Sequence, residues 1–194
     1  SINNAQRGLD GISFGNFLIK RVVDRLSQEF PHLKTFATLS PIPGFVSWLK
    51  KAVAEGGTGL LLPSERKALA AAGVRKGAKG WLKEAIGAAK WAEDEAVAKA
   101  LKATLMRLCA RYLAREKRPN GAALDPVAHF HLSNGARMER LNWMGDRSAR
   151  GLRQSAGIMI NYRYDLARID AKHEAYRSSG KRALSSAVKN LLDG

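Results

Sequence analysis

Three stretches of the chain hold residue types suited to chemistry. Ser40 closes the run HLKTFATLS (32–40) and is followed at once by Pro41-Ile42-Pro43-Gly44-Phe45. Both prolines have a fixed φ, so the hydroxyl belongs to a strand end beside a stiff loop. Strand ends next to a helix N-terminus are where open α/β sheets bind ligands; an ordinary turn serine fits the same residues. The second stretch, VAHFHLSN (127–134), carries His129 and His131. Two apart on a helix, the rings point in different directions, and no Cys or carboxylate stands at zinc-ligand spacing, so a metal site is rejected. An imidazole whose ordinary pKa is about 6.5 suits proton transfer at neutral pH; a satisfied structural histidine is the competing reading. The third stretch is GLDGISFGNFLIKR (8–21), in which Gly8, Gly11 and Gly15 punctuate a loop and Asn16 is a fitting N-cap. Glycines let backbone N–H groups approach an anion, and the helix N-terminus adds partial positive charge, so phosphate is the expected guest. The spacing is neither a P-loop nor GxGxxG, and three glycines also simply make a turn.

Several elements must position these groups. Phe17, Leu18, Ile19, Val22, Val23 and Leu26 follow the glycine loop at helical spacing until Pro31. The run 32–40 reads as a strand stopped by Pro41 and Pro43. Residues 45–118 read as helical, broken at Gly56–Gly59, with helices expected from Ser64 to Ala72, from Trp81 to Trp91 and, most clearly, from Asp94 to Arg115. Asp125 as N-cap, Pro126 at the first helical position and Gly135 past the end bracket a helix over 126–134. ARMERLNWM (136–144) and GIMINYRY (157–164) read as strands, the second ending in Tyr164. The tail from Ala171 is polar and basic, expected to be partly helical and mobile.

Composition bounds the rest. The chain has 194 residues, 45% hydrophobic and 26% charged, which excludes a wholly disordered or collagen-like protein. Its single cysteine, Cys109, excludes an internal disulfide framework and suits a buried thiol in a reducing compartment, cytoplasmic by default, with mitochondrial or peroxisomal locations compatible. No run of 18 apolar residues occurs, so neither a transmembrane helix nor a membrane partner is expected. The first residues, SINNAQRGLDG, lack the basic and apolar regions of a signal peptide. A net charge of +16 makes nucleic acid the first partner to consider. The positives are scattered, however, with no recognition-helix, zinc or aromatic RNA-binding signature among them, and no nucleic-acid partner is expected.

Four separated motifs, GLDGISFGNFLIKR, LSPIPGF (39–45), FHLSNGA (130–136) and MINYRY (159–164), occur in the order found in malonyl-CoA decarboxylases, and over roughly residues 1–166 the chain resembles that family. The resemblance implies an α/β (α+β) fold of the GNAT acyltransferase type: a mixed sheet with flanking helices and a helical insertion, its N-terminal strands missing here. Residues 1–170 are then part of the catalytic domain, 46–118 the insertion and 171–194 a basic tail. It also implies a missing upstream helical domain that builds homo-oligomers, and a sheet edge left exposed where the absent strands would pair. The expected reaction is loss of carbon dioxide from malonyl-CoA, a step in malonyl-CoA and fatty-acid metabolism. Ser40 would supply a hydroxyl to the malonyl group, His131 the proton, and Tyr164 a supporting donor. Asp10, Gly11, Ile12, Ser13, Phe14, Gly15 and Asn16 would cradle the CoA pyrophosphate. CoA belongs to the substrate, and no metal, biotin or redox cofactor is called for. A CoA-dependent acyltransferase, or a basic nucleic-acid module, are the alternatives.

Overall fold

A computed structural model describes residues 15–55, 60–74, 80 and 89–193. In chain order its elements are helix α1 (Gly15–Glu29), strand β1 (Phe36–Ser40), helices α2 (Phe45–Ala54), α3 (Pro63–Ala71), α4 (Glu95–Arg115) and α5 (Pro126–Ser133), strand β2 (Arg137–Asn142), helix α6 (Ala149–Ser155), strand β3 (Met159–Tyr164), and helices α7 (Ile169–Ser179) and α8 (Ser186–Asp193). A 3₁₀ turn, Ala89–Ala92, precedes α4; residues 81–88 of the helix expected there lie outside the described residues. Helix α1 starts at Gly15, so Asn16 lies inside its first turn rather than capping it. Strand β1 starts only at Phe36: Pro31 and His32 form a turn, and residues 33–35 carry no ladder pairing.

The three strands pair in the order β1-β3-β2, and both ladders are antiparallel. The parallel pairing recorded outside them is an isolated bridge from Met138 to Leu184. Opposite residues share a face, so the register that sets Ser40 against Ile160, Thr38 against Tyr162 and Phe36 against Tyr164 puts all six on one side of the sheet. That side meets the core: Ile160 and Tyr162 are fully buried. The other side of β1 carries Leu39, 56% exposed, and no described strand lies on the outer edge of β1. Among the described residues β1 is thus an edge strand.

One core joins the sheet to the helices. Leu49 of α2, Leu101, Leu105 and Leu108 of α4, Leu132 of α5 and Val188 of α8 are buried in one cluster with Met138 and Ile160, so the 46–118 helices share the sheet's core. Asp94 caps α4 by accepting from Val97 N–H at 3.1 Å. Arg107 locks α3 to α4 with two bonds to Glu65, at 2.7 and 2.6 Å, both side chains nearly buried.

The tail corrects the sequence reading. Residues 169–193 form α7 and α8, whose apolar residues Tyr176 and Val188 are buried. Met138 N–H donates to Ala183 C=O and Ser185 N–H to Met138 C=O, both at 2.9 Å, which sews the connector between these helices alongside β2. Ile169 and Tyr176 of α7 and Val188 of α8 are thus buried in a segment whose composition is basic.

Candidate active site

Helix α5 places the imidazole. Asp125 caps it through Val127 and Ala128 N–H groups, and Pro126 fills its first position. At the other end Gly135, with φ +72°, lets Ala136 N–H return to the His131 carbonyl at 3.1 Å. The helix turn holding His131 is thus closed from both sides.

The ring of His131 lies against the sheet, stacked on Tyr162 with centroids 4.2 Å apart, with Phe130 edge-on at 5.2 Å. Its Nε2 is 3.0 Å from Ser40 Oγ and its Nδ1 2.7 Å from Tyr164 Oη. Ser40 Oγ is also 2.9 Å from Thr38 Oγ1. A continuous line of polar atoms runs Thr38, Ser40, His131, Tyr164. Ser40 and His131 are each 5% exposed. The structure therefore brings together all three residues singled out from the motifs.

Electrostatics fix how this line is used. Burial lowers the His131 pKa to about 4, so the ring is neutral at pH 7. The expectation of an imidazole titrating near neutrality is corrected: sequence position did not reveal the desolvation. Burial also raises the Tyr164 phenol above its ordinary range, so it keeps its proton. In the tautomer in which Tyr164 O–H donates to His131 Nδ1, the ring's own hydrogen is on Nε2, facing Ser40. Ser40 then has its own O–H free for Thr38 or for a bound molecule.

Several neighbours were not singled out beforehand. Thr38 was legible in principle, since period two puts it on the face of Ser40. Tyr162 needed the strand register. Of the proposed phosphate cradle, Asp10, Gly11, Ile12, Ser13 and Phe14 lie outside the described residues, and Gly15 and Asn16 open α1. His129 is separate from the site and bonds through Nδ1 to Tyr176 Oη at 2.9 Å.

Comparison with known proteins identifies the family. The family model described as malonyl-CoA decarboxylase C-terminal domain matches residues 1–194. The Rattus norvegicus protein named mitochondrial malonyl-CoA decarboxylase is 44% identical over 99% of this chain and 40% of its own length; that of Anser anser anser is 44% identical over 91% of this chain and 36% of its own length. The chain thus spans about 40% of the length of these curated relatives. Crystal structures of malonyl-CoA decarboxylases from Rhodopseudomonas palustris and Agrobacterium vitis superpose with TM-scores of 0.84 and 0.82. They share 48% and 46% identity with 98% and 99% of this chain, covering 40% and 44% of theirs. The fold is accordingly the GNAT-like one of those structures, with a small antiparallel sheet and flanking helices. The Ser40 loop and the His131 helix lie within a match that runs from the first residue to the last, and the chain belongs to the malonyl-CoA decarboxylase family.

Proposed function

We propose that this chain supplies the catalytic site for decarboxylation of malonyl-CoA to acetyl-CoA and carbon dioxide. The observation that carries the reading is the hydrogen-bonded line from Ser40 through His131 to Tyr164, buried against the sheet in a domain of this family. In the reaction the bond between the α-carbon and the carboxylate carbon breaks, carbon dioxide leaves, and the electron pair stays behind as the thioester enolate. Ser40 Oγ–H donates to the oxygen on which that charge collects. His131 Nε2 then gives its proton to the α-carbon, directly or through Ser40, while Tyr164 passes its own to Nδ1 so that no imidazolate is left. Solvent restores the tyrosine proton, and one proton is consumed per turnover. The scheme needs no acyl-enzyme on Ser40 and no metal or redox cofactor.

The pyrophosphate of CoA is assigned to residues 10–16, where α1 opens, on the family resemblance and the anion preference of a helix N-terminus. Among the described residues no helix is long and apolar enough to cross a membrane. Cys109, fully buried and with its thiol pKa raised by burial, suits a reducing compartment, cytoplasmic or, as the relatives' names state for them, mitochondrial. A homo-oligomer built through upstream helices, and a role in fatty-acid metabolism, follow from the resemblance.

The test is release of carbon dioxide and acetyl-CoA from malonyl-CoA by the full-length protein containing this chain. Ser40→Ala should lower kcat by about 100- to 1,000-fold, the cost of one lost oxyanion donor. His131→Asn should lower it by about 100- to 10,000-fold, with KM little changed. Undiminished turnover in either variant overturns the assignment, and acetyl transfer to an added amine without decarboxylation replaces it with acyl transfer.

A further inference from the structure

Asp125 is 1% exposed and commits its two oxygens to different elements. Its Oδ1 accepts from Val127 N–H at 3.0 Å and Ala128 N–H at 2.9 Å, closing the first turn of the His131 helix. Its Oδ2 accepts from the Tyr112 hydroxyl of α4 at 3.3 Å and from Gly44 N–H at 3.5 Å. Gly44 ends the Pro41–Gly44 loop that begins at Ser40. One carboxyl group therefore touches the helix that carries the imidazole, the loop that follows the strand carrying the hydroxyl, and the long helix behind both. A helix cap alone would use Oδ1 and leave Oδ2 to solvent or to any donor.

The loop has no slack at this contact. A β-carbon added at Gly44 would sit 2.1 Å from Tyr112 Oη and 3.2 Å from Tyr112 Cζ, although φ at Gly44 is −91°, open to any residue. Glycine is required there by the hydroxyl. Ser40 and His131 stand 91 positions apart in the chain; the β1–β3 pairing and the Tyr164 bond to His131 hold them through the sheet, and Asp125 adds a second tie on the side away from it. We propose that Asp125 is a positioning residue for the reaction: together with the β1–β3 pairing it sets the separation of Ser40 and His131, through Gly44 on one side and the start of α5 on the other. The proposal rests on the decarboxylase reading of the site. Asp125 touches no reacting atom and is not the base.

Asp125→Asn separates the two jobs, since Asn keeps an oxygen for the cap but turns an NH₂ toward the Gly44 N–H. In the full-length enzyme kcat should fall about 10- to 100-fold, as for a displacement of the reacting groups by about 1 Å, while KM changes less than about twofold. Gly44→Ala should show the same split. Adding Tyr112→Phe to Gly44→Ala removes the oxygen that the methyl group meets and should recover most of the loss. Wild-type kcat in Asp125→Asn, or no recovery in the double variant, overturns the proposal; the Gly44 pair decides it if Asp125→Asn does not fold. The ¹⁵N shifts of the His131 ring report its bond to Ser40 without turnover. If they move in Asp125→Asn while wild type releases no carbon dioxide, the functional reading fails and the positioning role stands. Unmoved shifts sink the positioning role at any activity.

Discussion

At the scale of the residue, the consequence of burying His131 is a linkage between proton and fold. Its pKa is about 4 when folded, against an ordinary value of 6.5. The unfolded chain therefore binds the extra proton across that interval, and stability must fall as pH drops from 6.5 toward 4 and be unaffected by this group above it. The full difference is on the order of 3 kcal/mol, with roughly 2 of it lost between pH 7 and pH 5. Denaturant midpoints at those two pH values should show His131→Gln losing less stability on acidification than wild type. Equal losses would mean the ring is solvated. His129, whose pKa is lowered by burial and then by Arg118, acts in the same sense in both proteins. The identities of Ser40, His131 and Tyr164 were legible in the motifs. Their protonation was not, because desolvation depends on Phe130, Tyr162 and the sheet around the ring, none of which adjoins all three in sequence.

At the scale of the element, capping and punctuation were the readable signals. Asp125-Pro126 and Gly135 bracket α5 within a residue, Asp94 and Arg115 bracket α4, and Pro41 ends β1. Starts without a cap were read less well: the residues ahead of Phe36 have strand-like composition but follow a proline turn. Gly135 has a second job that punctuation does not reveal. A β-carbon there would lie 2.3 Å from the Ile169 carbonyl oxygen, where α7 begins, and φ is +72° as well. Gly135→Ala combines a left-handed backbone penalty with a backbone clash and should cost about 2 kcal/mol or more. Thermal unfolding measures this, and a Tm within a degree of wild type would show that α7 can step aside. Because that glycine closes the turn containing His131, the same variant should also lose activity.

At the scale of the whole molecule, the polar tail proves to be a clamp. Arg182 donates from Nη1 to the Leu113 carbonyl at 2.8 Å and from Nη2 to the Glu116 carbonyl at 2.7 Å, tying the segment before α8 to the C-terminus of α4. The Leu113 carbonyl is among the ones a helix leaves unpaired in its last turn, and the Glu116 carbonyl, just past the helix, accepts from Arg182 as well as from Leu124 N–H at 3.1 Å. Arg182→Ala should therefore destabilise the fold by about 2 kcal/mol, more than an exposed arginine would, and chemical denaturation would register it. Basic composition hid this because Arg182 looks in the sequence like any other charge of the tail. The sequence likewise showed which segments were strands but not their order, since β3, last along the chain, lies between the other two.

That strand order governs when the site can exist. Among the described residues strand β1 pairs only with β3, so Thr38 waits for Tyr162 across more than a hundred intervening residues, whereas β2 and β3 are near neighbours in the chain. Closing the longer loop carries the larger entropy cost and earns its contacts later. On a growing or refolding chain, His131 and Tyr164 can meet on the β2–β3 pair before β1 docks. Ser40, riding on the last strand to arrive, then completes the polar line only when the sheet is whole.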